Sequence, residues 1–129
     1  MAYIQFNKNP IQRVVGDCVV RAIATAENIR WEDAYNELCI LGFQMCDMPN
    51  SNEVWGAYMR KQGYTRFIIP DSCPDCYSVE EFCMDYPHGI YVVGTGTHAI
   101  AIIDGDYYDI WDCGQEVPVY AWKKGVSKR

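Results

Sequence analysis

Apolar residues return at helical intervals through the first two thirds of the chain, then alternate or run together as strands do beyond about residue 90. From Asp17 to about Asn28 the stripe Val20, Ile23 and Ala24 predicts a central helix. A second helix follows, with Trp31, Tyr35, Leu38 and Cys39 at helical offsets and Glu32 and Asp33 in its first turn, where unpaired N–H groups favour acids. After the turn Asp47-Met48-Pro49-Asn50, Asn50 and Glu53 have the form of a capping box. That third helix buries Val54, Trp55, Tyr58 and Met59 and stops at Gly63. Thr65 to Pro70 reads as an edge strand or extended link, and Ser78 with Glu81 caps a short fourth helix that ends before Pro87.

Beyond it the pattern predicts strands at Ile90–Val93, His98–Ile103, Tyr107–Asp112 and Val117–Trp122. Gly94-Thr95-Gly96 makes a bend and Asp104-Gly105-Asp106 a hairpin turn. The segment through Gly16 holds Pro10 and only Ile4, Phe6 and Ile11 as large apolar landmarks, so it is expected to be irregular and to bring Gln12 near the central helix. Helices first and an antiparallel β-meander second is an α+β plan.

Composition adds bounds. A chain of 129 residues, 50% apolar, has room for one domain, residues 1–129, with 123–129 expected as a flexible basic tail. A net charge of -6 argues against nucleic-acid binding, which needs clustered cations. No apolar run has the length of a membrane span, and Met1–Phe6 lacks the core of a secretory signal. Seven cysteines, an odd number, read as reduced thiols, so a cytoplasmic protein with no cofactor is expected.

One of those thiols, Cys18, stands where a loop becomes the central helix. Unpaired N–H groups there carry partial positive charge and favour a thiolate, which makes Cys18 the candidate nucleophile. A thiolate nucleophile needs a base, and the base needs an orienting group. His88 lies in a Pro-His-Gly turn, whereas His98 opens an apolar strand after a glycine bend, so His98 is the candidate base. Hairpin register selects the acid behind it: a three-residue loop places Asp112 opposite His98, and a two-residue loop at Asp104-Gly105 brings Asp109 diagonally onto the histidine face. Either aspartate also suits a turn on a solvated face.

A cysteine at a helix start, a histidine on a strand and an acid on the returning strand, in that order, resemble the papain-like cysteine peptidases. Tyr107 to Asp112 resembles their segment ending in Asn-Ser-Trp, with Asp112 where the asparagine stands, and Gln12 lies six residues before Cys18, the offset of their oxyanion-hole glutamine. In size the chain is closer to bacteriocin leader-processing peptidases. Gly16-Asp17-Cys18-Val19-Val20-Arg21-Ala22, Asp47-Met48-Pro49, His98-Ala99-Ile100-Ala101 and Tyr108-Asp109-Ile110-Trp111-Asp112 are similar to strings in small phage and gut-bacterial proteins of papain-like type. The resemblance implies a papain-like fold and a peptide or protein substrate. It also implies attack by Cys18 on an amide carbonyl, with His98 as base and then acid, Asp112 holding the imidazole, and Gln12 with the Cys18 N–H on the oxyanion.

The chain departs from the family's Cys-Gly-Ser-Cys-Trp pattern: Asp17 precedes the cysteine and Val19 follows it. An acid beside a thiolate opposes its formation unless its side chain turns away, for instance to cap the helix. Among rival chemistries, Cys73-x-x-Cys76 with Cys83 and His88 offers four zinc-type ligands, but Cys83 falls in an amphipathic pattern beside Phe82, so no metal is expected. The other class of function is a catalytically silent papain-like module that binds or inhibits a partner through its ten tyrosines and four tryptophans.

Overall fold

The computed structural model describes residues 2–70 and 77–125. In chain order these form β1 (Ala2–Gln5), α1 (Cys18–Glu27), α2 (Trp31–Met45), α3 (Asn52–Lys61), β2 (Tyr64–Ile68), α4 (Val79–Asp85), β3 (Ile90–Gly94), β4 (Ala99–Ile103), β5 (Asp106–Asp109) and β6 (Tyr120–Lys124). The six strands make one sheet in the order β1-β5-β4-β3-β6-β2. The α+β class expected from the pattern is present, but the sheet is mixed and not a meander. β3, β4 and β5 do follow one another as antiparallel neighbours, after which the chain crosses back so that β6 pairs with the far side of β3.

β1 joins β5 in parallel, within the segment expected to be irregular. Four residues are too few to display a period of two, and the strand is held from outside itself: the Phe6 N–H donates to the Asp109 carbonyl at 2.9 Å and the Tyr3 hydroxyl to the same oxygen at 3.2 Å. At the opposite edge Lys123 and Lys124 pair with β2 and do not belong to a tail, and Lys124 reaches Glu27 at 2.8 Å. Residues 126–129 of the expected tail lie outside the described residues.

β3 and β4 are apolar at nearly every position because both their faces are covered. On one face Val92, Ala99, Ala101, Trp122 and Tyr64 pack against Val20, Ile23, Leu38, Val54, Trp55 and Met59 of the first three helices. On the other, Tyr91, Val93, Ile100, Ile102 and Tyr107 pack against Val79, Phe82 and Cys83 of α4. The residues that β4 turns toward α1 are alanines, and α1 answers with Ala22 and Ala26, so small side chains let the helix lie close to the strand. This proximity brings the first residue of α1 to the end of the sheet where β4 begins.

The helix ends follow capping chemistry. α1 stops at Asn28, whose left-handed backbone (φ 52°) returns its N–H to the Ala24 and Thr25 carbonyls. α3 is capped by Ser51, which accepts from the Val54 N–H, one residue after the expected Asn50. Both halves of the Ser78/Glu81 capping box are formed.

α2 runs on through Gly42, and an alanine there normally gains about 1 kcal/mol in a helix. Here the added Cβ meets backbone, 2.8 Å from the Asp47 carbonyl oxygen and 3.2 Å from the Pro49 nitrogen, so the sign reverses. Gly42→Ala is expected to lose about 1–2 kcal/mol, read as a lower midpoint in urea unfolding. No helix among the described residues is long and apolar enough to cross a membrane.

Candidate functional site

The first turn of α1, the residue before β4 and the last residue of β5 meet at one end of the sheet. Cys18 begins α1, half-buried, and its thiol adjoins the His98 ring and the Ala99 backbone at the same cleft. His98, with its side chain 13% exposed, turns Nε2 to Oδ2 of Asp109. The other Asp109 oxygen accepts from the Ile110 N–H at 2.8 Å and from Nη1 of Arg21 at 2.9 Å. Thiol, imidazole and carboxylate, eighty and eleven positions apart in sequence, therefore stand in one row.

Register explains which acid is present. Ile103 pairs with Asp106, Ile102 with Tyr107 and Ala101 with Tyr108, leaving Asp104-Gly105 as a two-residue loop. Both loop residues have positive φ, 49° and 80°, as a type I′ turn requires. That pairing sets Asp109 diagonally on the histidine face. Asp112, the acid expected from the resemblance, is not at His98: it accepts from the Tyr107 hydroxyl at 2.7 Å and the Gly114 N–H at 3.0 Å, closing a loop. Trp111 lies against the imidazole instead, ring centres 5.4 Å apart.

Gln12 is also elsewhere. It is exposed, with φ 59°, and its amide donates to the Asn7 carbonyl at 2.9 Å and the Asn9 carbonyl at 3.0 Å, tying the N-terminal loop to itself. The side-chain amides that do line the cleft beside Cys18 belong to Asn50 and Asn52. That cleft, about 160 Å³, is completed by Val19, Trp55, Thr97, His98 and Tyr120, and among the described residues no aspartate, glutamate, lysine or arginine lines it. A larger hollow of about 300 Å³ lies between β2 and α4, away from the thiol, and is mostly apolar.

The electrostatics favour a charged pair. Burial raises the Cys18 pKa, but the hydrogen bonds from His98 and the Ala99 N–H, with the charges of His98 and Arg21, outweigh it and hold the thiol below its ordinary value. Burial disfavours the imidazolium too, yet the Asp109, Cys113 and Cys18 side chains raise the His98 pKa overall. Desolvation opposes the Asp109 charge, and His98 and Arg21 more than offset it, so its pKa is lowered. By contrast burial carries Cys83 up to about 12 and Cys113 up to about 11. Of these three thiols, Cys18 is the one with thiolate character.

Arg21 was not singled out from the sequence. Its Nε donates to Oδ1 of Asp17 at 2.7 Å while its Nη1 crosses to Asp109, and its side chain is only 9% exposed. The legible signal was a cation four residues after an acid, set beside the apolar stripe of a helix. Asp17 makes no capping bond to α1; its second oxygen accepts from Nε1 of Trp31 at 2.9 Å and from Asn9 at 3.3 Å. The leading N–H groups of α1 are thus left uncapped by the residue expected to cap them.

His98, Asp109 and Cys113 present ligand-type atoms within 4.8 Å of one another. They make three of the four donors a structural zinc takes, and both Asp109 oxygens already serve His98 and Arg21, so the set suits a hydrogen-bonded charge row better than a metal. Of the zinc-type ligands read from the sequence, Cys73 and Cys76 lie outside the described residues, Cys83 packs in the core and His88 is exposed. No protein-family model, curated protein or solved structure matches the chain.

Proposed function

We propose that the chain is a cysteine hydrolase of papain-like type that cleaves a peptide or amide bond through a thioester on Cys18. The observation that carries this reading is that Cys18 and His98 share the wall of one cleft, with Asp109 hydrogen-bonded to Nε2 of the imidazole. In the reaction the Cys18 thiolate adds to the amide carbonyl carbon, and the charge that moves to oxygen is met by the leading N–H groups of α1. His98 gives its proton to the departing amine and the thioester remains. His98 then takes a proton from water as that water adds to the thioester, and the Cys18 thiolate leaves again. Asp109, in the place that the resemblance assigned to Asp112, holds the ring by Nε2 and stabilises the imidazolium.

The cleft walls are aromatic, aliphatic and amide, so the substrate residue beside the scissile bond is small and uncharged. A chloroacetamide probe at pH 6, where an ordinary thiol with a pKa of about 8.5 is almost fully protonated, tests the reading. Stoichiometric modification of Cys18 is expected, absent from Cys18→Ala and slowed roughly a hundredfold by His98→Ala. Labelling that proceeds equally fast without the imidazole would leave a silent binding module as the correct description.

A further inference from the structure

We propose that Arg21 is a positioning residue of this site: it cancels the charge of Asp17 beside Cys18 and pins Asp109 against His98. The proposal rests on the hydrolase reading. Five groups lie in alternating sign along one row when the thiol is ionised, namely Asp17, Arg21, Asp109, His98 and Cys18. Arg21 is the member that joins the acid at the start of α1 to the acid at the end of β5. Only a guanidinium can do both, because Nε faces back along its own helix while Nη1 points across to the strand.

The sequence raised a difficulty that this pairing removes. An uncancelled aspartate one residue before the nucleophile opposes a thiolate, and a second buried carboxylate behind the imidazole adds to that opposition. With Arg21 between them the two negative charges share one positive neighbour, and the nearest net influence on the sulfur is the imidazolium. Stability alone does not call for such a device, since a buried ion pair is commonly no better than well-packed apolar groups. The titratable groups along and beside this row are Asp17 just before α1, Arg21 within it, His98 before β4, Asp109 at the end of β5, Cys113 after it, and Tyr120 from β6. Trp31 of α2 and Asn52 and Trp55 of α3 adjoin the row without charge.

The test is the pH dependence of Cys18 alkylation by iodoacetamide in the full chain, with the modified residue assigned by mass spectrometry and folding followed by circular dichroism. Arg21→Gln is expected to move the midpoint upward by about one pH unit or more, a roughly tenfold slower reaction on the rising limb. Asp17→Asn, which keeps Arg21 on Asp109 and an oxygen for Trp31, is expected to move it downward. Combining the two substitutions returns it close to the wild-type value. Should Arg21→Gln fail to fold, the Asp17→Asn shift decides, and an unchanged midpoint there overturns the proposal. A midpoint that Arg21→Gln leaves in place, or that the double variant does not restore, overturns it as well. In each case His98→Ala must still slow the wild-type reaction; if it does not, the hydrolase reading itself is at fault, and not the role given to Arg21.

Discussion

Asp109→Ala is expected to reduce Cys18 alkylation at pH 6, and any amide hydrolysis, by a hundredfold or more, while Asp112→Asn leaves both within about twofold. Asp109 is the group on Nε2 of His98, with its side chain 1% exposed, whereas Asp112 serves only a loop. Its removal leaves the buried Arg21 guanidinium with Asp17 alone, so a stability loss of about 3–5 kcal/mol should accompany the loss of reactivity. Asp112→Asn keeps an acceptor for the Tyr107 hydroxyl and should cost about 1 kcal/mol or less. Urea unfolding of the three proteins, followed by alkylation of the folded fraction, separates the two contributions.

The stability difference between wild type and Asp109→Ala should also depend on pH in a defined direction. The Asp109 pKa is lowered on folding, so its contribution is present above the ordinary carboxylate value of about 3.9 and disappears as pH falls through the folded value. That of His98 is raised, so its contribution is full below its unfolded value of about 6.5 and fades as pH climbs through the folded one. The gap between the two proteins is therefore widest between about pH 4 and 6.5.

Phe82→Ala should have the opposite profile: a large loss of stability with the thiol chemistry untouched. Phe82 is fully buried in the second core, stacked on Tyr86 at 4.5 Å and edge-on to Tyr91 at 5.3 Å between ring centres, on the sheet face away from α1. Truncation removes these contacts and opens a cavity, a cost of about 3–5 kcal/mol. A fall in the thermal midpoint on the order of 10–20 °C is expected for a domain of this size. Below that midpoint the pH profile of Cys18 alkylation should overlay the wild type. A displaced profile would mean that the two cores are coupled through the sheet, contrary to their separation by the layer of β3 and β4.

Much of the secondary structure was legible because its causes are local. Ser78 and Glu81 announce a helix start three residues apart, Asn28 ends α1 where a left-handed residue is needed, and Val20, Ile23 and Ala24 recur at the helical period. The candidates Cys18 and His98 were legible for a related reason, since each sits where a regular element begins and the chemistry of that position follows from the backbone. β1 was not legible, because its pairing with β5 is made by residues more than a hundred positions away. The return of β6 to the outer side of β3 was hidden likewise: the same apolar alternation suits a strand at the end of a meander.

By itself, then, the amino-acid sequence determined the four helices, the Ser78/Glu81 cap, the existence of the strands from Ile90 onward, and a thiol and an imidazole each at the start of an element. Only the tertiary structure decided between Asp109 and Asp112, sent Gln12 back onto its own loop, and set Arg21 between two acids. Those outcomes turn on a two-residue turn register and on which side chains share a buried space, where a shift of a single residue exchanges one face of a strand for the other. Periodicity records which residues are hidden from water; it does not record what they are hidden against.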